Sequence, residues 1–363
     1  MYRPSDFMGD FRKAANAATT VRSLLETPKL LQLPKDLNVN ALTEGVGKIP
    51  TLENLTAPLL NTSIFGLDSE TILFIVNSAI RNRETKSPKE FRGERQAIGQ
   101  LEHFIHGPAS SADRSRADVS KENSSRLSVH FALGTLSPRT VYWAAKNAGN
   151  GCSWLMSHLE MRDFFLYTAF ASDKAFYSSQ GLPISKKKKK TSEMPVVWKR
   201  PHKSESSWTR WAVGETKLPL IDAAMKELMA TGYCSNRVRQ NAASVLTKDL
   251  QIDWRAGAEW FQFLLEDHCV GANFGNWLYF SGVGPDPKNR HFRTVSQMKR
   301  YDEGGAYVRK WLPTLQQVQD REALLRPWDF QIKGFESPII DPSTQYTWQD
   351  AQILKSEGTL FLE

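Results

Sequence analysis

Apolar residues recur at helical spacing along most of the chain after about residue 67. The clearest example is TKLPLIDAAMKELMATGY, residues 216–233, whose large apolar side chains return every three or four positions. Pro219 suits the first turn of that helix, and Gly232 can end it in a left-handed conformation. Two further helices are predicted over residues 235–250 and 254–267, so this part of the chain is expected to be helical throughout.

The sequence lacks the patterns that predict strands. It has no regular alternation of apolar and polar residues, no strand–helix rhythm, no GxGxxG motif and no internal repeat. We therefore predict an all-α, multi-helix fold, with long loops over residues 178–215 and 282–300.

The first 60 residues differ from the rest. Their periodicity is weak, and prolines stand at positions 4, 28, 34, 50 and 58, which favours extended chain. We predict an extended linker over residues 1–60 with one short helix near Phe11–Leu25. A helical domain follows over residues 61–315, and a C-terminal tail over residues 316–363.

The charge of the chain leaves its class of partner open. A formal net charge of +8 over 363 residues suits a polyanionic partner such as nucleic acid, but basic proteins that bind none are also common. Part of the excess is the run Lys186–Lys190. Such a run is typical of a solvated loop insertion, with a nuclear-import or DNA-backbone patch as the alternative.

The three cysteines and the lack of long apolar runs bear on the compartment. Cys152, Cys234 and Cys269 are scattered without metal-binding spacing, which predicts reduced thiols in an intracellular protein and no metal site. No apolar run approaches the ~18 residues of a membrane span, and the N-terminus lacks the apolar core of a signal peptide. Nucleus, plastid and mitochondrion all remain open.

Two polar clusters could bind phosphates or a flat ligand, whereas HExxH, P-loop and hydrolase-triad patterns are missing from the sequence. The first is NSSRLS, residues 123–128, which precedes an apolar segment. Its hydroxyls could hold a phosphate at a helix start or simply cap that helix. The second is DHCVGANFGNW, residues 267–277, whose glycines and other small residues let the backbone approach something flat.

A third cluster contains two arginines. SNRVRQN, residues 235–241, places Arg237 and Arg239 two positions apart, so they diverge by roughly half a turn on a helix. One arginine could face solvent phosphates while the other turns inward to a buried partner. The alternative is that both are simply solvated.

Five segments in this order carry a family resemblance: NSSRLSVHFALGTLSPR (123–139), RDFF (162–165), the long stretch from GETKLP to AEWF (214–261), NFGNWLYFSGVGPDP (273–287) and YDEGGAYVRKWLP (301–313). Together they resemble the FAD-binding helical domain of the photolyase/cryptochrome family, and GNW followed by Tyr279 resembles its DASH branch. FRKA and GKIPTLENL, within residues 1–60, resemble that family's interdomain linker. We expect the N-terminal α/β domain to be absent, and with it the antenna pigment that full-length relatives hold there.

The resemblance implies an FAD site. Arg162 would lie against the flavin, Arg239 would form an ion pair with Asp267 beside the ring, and Asn273 would face the flavin N5. In such a site the protein positions the cofactor and tunes its electrostatics. The remaining positions that match the family's cofactor residues are Ser124, Ser125, Arg126, Leu127 and Ser128 at the pyrophosphate, with Asn236 and Cys269.

The resemblance also implies a tryptophan relay that carries an electron from the surface to the photoexcited flavin. Trp277 and Trp254 match the first two positions of this relay. Trp198 is our choice for the third, because it precedes Trp208 by the family's spacing of ten residues. Trp211 suits the following motif better, and an insertion of three residues would reconcile the two alignments.

A DNA role is implied for four further residues. An enzyme that acts on a base dimer takes it out of the stack, and DASH relatives favour single strands, where no pairing must be broken. Arg237 would contact a phosphate, and Tyr279 occupies the place of a second tryptophan in other branches. His158 and Met161 stand where repair enzymes keep a dimer-binding Glu and a dimer-stacking Trp.

The chain departs from the family pattern at four positions. Besides His158 and Met161, Cys269 replaces an acid that bonds the flavin ring, and a tyrosine before the serine motif is replaced at Ser111 or Ala112. The first pair removes a charged hydrogen bond and a stacking face, each worth about 1–3 kcal/mol. The second pair weakens FAD affinity.

These residues support three hypotheses. The first is a monomeric FAD-binding blue-light flavoprotein, which is a photoreceptor or binds DNA, as single strands, with weak or no repair. The second is a light-driven lyase that splits cyclobutane pyrimidine dimers in single-stranded DNA. The third is a flavin-free remnant kept for interaction.

Overall fold

The computed structural model describes residues 8–26, 93–107, 124–149, 152–182, 196–201, 206–284 and 290–346, with residues 70, 72, 73, 77 and 119. Its helices are α1 (Met8–Ala18), α2 (Gly93–His106), α3 (Ser128–Leu133), α4 (Pro138–Asn147), α5 (Ser153–Ser172), α6 (Ser206–Ala212), α7 (Pro219–Thr231), α8 (Asn236–Ser244), α9 (Trp254–Leu264), α10 (Val270–Ser281), α11 (Thr294–Tyr301), α12 (Ala306–Trp311) and α13 (Arg321–Leu325). Short 3₁₀ turns are Asp173–Tyr177, Pro313–Leu315 and Pro342–Gln345. Within these ranges the isolated β-bridge is Lys199 with Ile252. The all-α prediction is confirmed.

Helix α7 has the ends that its sequence predicts. Pro219 occupies its first turn, where the missing N–H leaves no helical bond unmade. Gly232 follows the last turn at φ 69°, and its N–H donates to the carbonyl of Leu228. Nearly all of α7 is buried, so this helix forms the centre of the domain.

The helix predicted over residues 235–250 is interrupted. Helix α8 ends at Ser244, and Val245–Asp249 continues it as a π-helical turn. Leu250 N–H reaches back five residues to the carbonyl of Val245 at 3.0 Å. The wider turn carries Lys248 to the end of α10, where its Nζ donates to the carbonyl of Ser281 at 2.7 Å.

Both predicted loops contain helix. Helix α6 lies inside residues 178–215, and α11 begins inside residues 282–300, so these predictions are wrong in part. In α6, Trp208 and Trp211 are fully buried, and tertiary packing therefore stabilises a helix too short to form alone. The first short helix, predicted near Phe11–Leu25, is observed at Met8–Ala18.

Small residues let three helices pack closely. On α10, a Cβ at Gly271 would lie 2.8 Å from Leu166, and one at Gly275 would lie 2.6 Å from Phe165. On α9, a Cβ at Gly257 would lie 2.2 Å from the indole of Trp277. Helix α10 therefore packs directly against α5 on one side and α9 on the other, which positions its polar residues.

The segment after residue 315 contributes to the main core. Leu324, Leu325, Phe335 and Tyr346 belong to the same buried cluster as α7 to α10. Gln345 also accepts a hydrogen bond from the backbone N–H of Thr294 at 2.9 Å. The domain boundaries given by the sequence analysis, including the start of a tail at residue 316, stay a prediction.

Two features are absent from the described residues. None of their helices is long and apolar enough to cross a membrane. The same residues include no group of three or more His, Cys, Asp or Glu side chains that could hold a metal ion.

Candidate functional site

A cavity of about 140 Å³ opens where α8, α9 and α10 meet the start of α3. Half of its lining residues were predicted from the sequence as cofactor or electron-transfer residues: Ser128, Asn236, Arg239, Asp267, Cys269, Asn273 and Trp277. The other half was not predicted from the sequence: Ala243, Phe261, Leu265, His268, Ala272, Asn276 and Phe280. The apolar members of that half follow from helical periodicity, which could have placed them on the same faces.

The ion pair predicted between Arg239 and Asp267 is present. Arg239 donates from both terminal nitrogens to the carboxylate, at 3.0–3.2 Å, and its Nε donates to the carbonyl of Cys234 at 2.8 Å. The side chains are only 20% and 4% exposed. Burial opposes the guanidinium charge, but the Asp267 carboxylate outweighs burial, and the pKa of Arg239 is raised. The pair is a fixed charged element of the cavity wall.

Arg237 points away from this pair, as the half-turn separation predicts. Its guanidinium lies 4.4 Å from the ring centre of Tyr301 and donates to Gln240 at 3.2 Å. Neither Arg237 nor Tyr301 lines the cavity. The two arginines therefore face different surroundings, one buried and paired with a carboxylate, the other stacked on an aromatic ring.

The two cavity asparagines are fixed by backbone carbonyls. Asn273, which is 9% exposed, donates to the carbonyl of Ala258 at 2.8 Å across the contact between α10 and α9. Asn276 donates to the carbonyl of Ala272 at 2.7 Å. These bonds orient both amides without a charged partner.

The serine segment lies at the edge of the cavity, which it reaches only through Ser128. Helix α3 begins at Ser128, and the serines before it bond the backbone locally: Ser124 Oγ accepts from the N–H of Arg126 at 3.3 Å and Ser125 Oγ from the N–H of Leu127 at 3.5 Å. Arg126 adopts a left-handed backbone at φ 48°. Gln100 donates to the carbonyl of Ser125 at 2.6 Å, which ties the segment to α2.

Tyr233 connects the serine segment to the ion pair, and sequence reasoning missed it. Its hydroxyl donates to Ser124 Oγ at 2.9 Å. The guanidinium groups of Arg126 and Arg239 lie 4.8 Å and 5.4 Å from its ring centre. Burial raises the pKa of Tyr233, so its hydroxyl stays protonated as a donor.

Helix α5 carries His158 and Met161, the positions that the family resemblance predicts for a dimer-binding pair. His158 packs edge to face on Trp154, with ring centres 5.1 Å apart, and Met161 is 39% exposed. Glu160 forms an ion pair of 2.5 Å with Arg12 of α1. The carboxylate of Glu160 is therefore engaged with another helix.

Arg162, predicted to lie against the cofactor, is not among the residues that line the cavity. It donates to Asp163 at 3.0 Å, and its guanidinium lies 5.7 Å from the ring centre of Phe131 in α3. The family resemblance also predicts a tyrosine before the serine segment, where this chain has Ser111 or Ala112, and that position lies outside the described residues.

The tryptophans fall into two groups. Trp254 and Trp198 both donate their indole N–H to the carbonyl of Ser179, at 3.2 Å and 2.7 Å, which places them side by side. Trp277 packs edge to face on Trp211, with ring centres 6.2 Å apart, and is 2% exposed. Trp198 is therefore a neighbour of Trp254, whereas Trp211 belongs with Trp277.

Polar atoms around the cavity are left for a ligand. Both ring nitrogens of His268 are enclosed and have no hydrogen-bond partner within the protein. Asn241 Oδ1 and Ser235 Oγ, on and before α8, also lack a partner, but neither residue lines the cavity. A charged pair, amides, a hydroxyl and an aromatic wall suit a heteroaromatic ligand with several hydrogen-bonding edges, so these residues fit a flavin cofactor.

Comparisons with known proteins identify the family. A family model for the FAD binding domain of DNA photolyase matches residues 154–351. A cryptochrome DASH of Xenopus laevis is 34% identical over 89% of this chain and 56% of its own length. Another, of Natronomonas pharaonis, is 31% identical over 94% of this chain and 68% of its own length. The chain spans little more than half the length of the first of these relatives.

Solved structures lead to the same family. The Synechocystis cryptochrome is similar with a TM-score of 0.61 and 32% identity, over 72% of this chain and 55% of its own. A class III photolyase of Agrobacterium tumefaciens is similar with a TM-score of 0.61 and 28% identity, over 75% of this chain and 59% of its own. This chain belongs to the photolyase/cryptochrome family and contains that family's FAD-binding domain.

Proposed function

We propose that this protein binds FAD in the cavity between α8 and α10 and works as a blue-light flavoprotein of the cryptochrome type. It acts as a photoreceptor or as a protein that binds single-stranded DNA, with weak or no dimer repair, as a monomer. One observation carries the proposal: the cavity gathers six residues, from three separate stretches of the chain, that the family resemblance assigns to the cofactor. When bound, FAD supplies blue-light absorption and one-electron chemistry.

The residues of this chain do the positioning. Arg239 and Asp267 hold a fixed dipole in a wall where little water remains to screen it. Asn273 presents an amide rather than an acid, with its orientation set by the carbonyl of Ala258. Phe261 and Trp277 provide flat apolar walls, so a planar ring is held between polar edges and aromatic faces.

Trp277, Trp254 and Trp198 serve in this proposal as the path by which an electron enters the site. Trp277 lines the cavity. Phe274, one turn earlier on α10, packs edge to face on Trp254 with ring centres 6.1 Å apart. Trp198 is half-buried and shares a carbonyl partner with Trp254, which supports it as the outer member, with access to solvent.

Weak repair follows from α5. Neither His158 nor Met161 offers the carboxylate and indole that the family uses on a dimer, and Glu160 is paired with Arg12. Binding of DNA is retained in the proposal because Arg237 stacks on Tyr301 and Arg290 bonds the hydroxyl of Tyr279. Basic and aromatic side chains in such pairs suit single strands, whose bases can stack.

A light-driven lyase is the second candidate, and that same basic and aromatic surface favours it. The decisive experiment titrates the purified chain with FAD, follows flavin fluorescence, and then illuminates the complex with a dimer-containing single-stranded oligonucleotide. We expect saturable FAD binding and few restored thymines. Efficient restoration would establish the lyase, whereas absence of FAD binding would leave only the flavin-free remnant.

The electron path has its own test. Trp277→Phe keeps an aromatic wall but removes the most readily oxidised ring from the cavity, so photoreduction of the bound cofactor should slow by at least about tenfold. Trp143→Phe is the matched control, because Trp143 lies on α4 and does not line the cavity. Equal rates for both variants would refute the assignment of Trp277.

A further inference from the structure

His268 lies on the short connection between α9 and α10, directly between Asp267 and Cys269. It lines the cavity, and both of its ring nitrogens are enclosed without a hydrogen-bond partner in the protein. An imidazole carries one donor and one acceptor when neutral. Two enclosed and unpaired ring atoms cost free energy unless a ligand or water bonds them.

The surroundings of His268 keep the ring neutral. Burial lowers its pKa, and the neighbouring Asp267 only partly opposes that shift. Asp267 is itself engaged by Arg239 through three hydrogen bonds. His268 therefore presents one N–H donor and one bare nitrogen acceptor to its surroundings.

The next residue, Cys269, also lines the cavity. Where the family places an acid that bonds the flavin ring, a thiol offers only a weak donor and a weak acceptor. The site thus lacks a strong hydrogen-bonding group at residue 269. The adjacent His268, by contrast, has an imidazole whose strong donor and acceptor have no hydrogen-bond partner in the protein.

We propose that His268 is a cofactor-binding residue that hydrogen-bonds FAD and takes over from the acid missing at Cys269. This inference rests on the proposed FAD site. The ligand class is a heteroaromatic ring system with a donor or an acceptor on its edge, and the contribution of His268 is to hold and orient it.

The test measures FAD dissociation constants for five variants alongside the native chain. His268→Phe keeps a flat ring without hydrogen bonds, and we expect about tenfold weaker binding, the size of one lost hydrogen bond. His268→Gln keeps a donor and an acceptor and should stay within about threefold of native. Cys269→Asp should strengthen binding more in the His268→Phe background than in the native chain, since the two groups then substitute for each other. His103→Phe, on the exposed side of α2, is the matched control.

Thermal unfolding without FAD separates binding from folding. Because the ring nitrogens of His268 are unpaired in the protein, His268→Phe should not lower the melting temperature of the FAD-free chain. If the larger ring does not fit, His268→Ala gives the same comparison without added bulk. Native-like FAD affinity in a folded Phe or Ala variant would overturn the assignment of His268. Failure of the native chain to bind FAD would overturn the proposed function itself.

Discussion

Arg239 is paired with the carboxylate of Asp267, whereas Arg237 contacts Tyr301 and Gln240. The inward position of Arg239 is set by α8, and Asp267 meets it from the connection after α9. A guanidinium that is only 20% exposed is tolerated because a carboxylate and a carbonyl accept its hydrogens. Removing the carboxylate leaves the charge enclosed, which costs far more than the pair contributes over neutral residues.

Asp267→Asn should therefore destabilise the FAD-free protein by about 3 kcal/mol, measured by urea unfolding. The matched control is Glu303→Gln, because the Glu303–Arg321 pair is 3.9 Å long and its side chains are 83% and 46% exposed. Such surface pairs contribute less than about 1 kcal/mol. Equal effects of the two substitutions would show that Arg239 is well solvated without Asp267.

The three thiols differ in accessibility, which gives a residue-level probe of the cavity. Cys152 and Cys234 are each 1% exposed, and burial raises the pKa of Cys234 to about 12. Cys269 is half-buried and lines the cavity. Reaction requires an accessible thiolate, so Cys234 should remain inert from about pH 7 to about pH 9.

We expect iodoacetamide to label Cys269 first in the folded chain, as read by peptide mass spectrometry. Added FAD should slow that labelling, because the cofactor would cover the thiol. Labelling of Cys269 that is unaffected by saturating FAD would place the cofactor elsewhere, and rapid labelling of Cys234 would contradict its enclosure.

At the level of elements, α10 is positioned by glycine contacts. Gly257 of α9 leaves the space that the indole of Trp277 occupies. A protein interior packed to this density cannot absorb an added methyl group without shifting a side chain or backbone. The position of Trp277 in the cavity wall therefore depends on a residue that has no side chain.

Gly257→Ala should destabilise the protein by about 1–3 kcal/mol and weaken FAD binding, because the methyl would lie 2.2 Å from Trp277. Gly99→Ala in α2 is the control, since nothing lies within 4 Å of its added Cβ. There the higher helix propensity of alanine should stabilise the protein by up to about 1 kcal/mol. Urea unfolding measures the change in the free energy of unfolding for both variants. A change in the same direction for Gly257→Ala and Gly99→Ala would contradict the close contact at Gly257.

Periodicity placed α7 almost to the residue, with its ends at Pro219 and Gly232, and predicted α9 within three residues. It failed where tertiary packing outweighs local pattern. The π turn after α8 has no periodic signature, and α6 depends on burial of Trp208 and Trp211. The site could be predicted only in part for the same reason. Family motifs indicated the Arg239–Asp267 pair, but only the packed structure shows that Tyr233 contacts Arg239 and that His268 lines the cavity.

At the scale of the molecule, the described residues form a main hydrophobic cluster around α7 to α10 and a smaller one around α2, α4 and the first half of α5. The main cluster includes residues beyond position 315. Leu324 is 1% exposed, and Arg293 donates to the carbonyl of Tyr346. From burial of this kind we expect residues 321–346 to unfold together with the helices that carry the cavity.

Leu324→Ala should accordingly lower the free energy of unfolding by about 2–5 kcal/mol, the usual cost of a truncated core leucine. Leu133→Ala at the end of α3 is the matched control, because Leu133 is 65% exposed, and its effect should stay within about 0.5 kcal/mol. Urea unfolding followed by both tryptophan fluorescence and circular dichroism should give one coincident transition for each variant. Since the two probes report on different parts of the chain, a separate early transition in Leu324→Ala would show that the segment after residue 315 unfolds independently. A single transition with a lower midpoint would instead make that segment a structural support of the cavity.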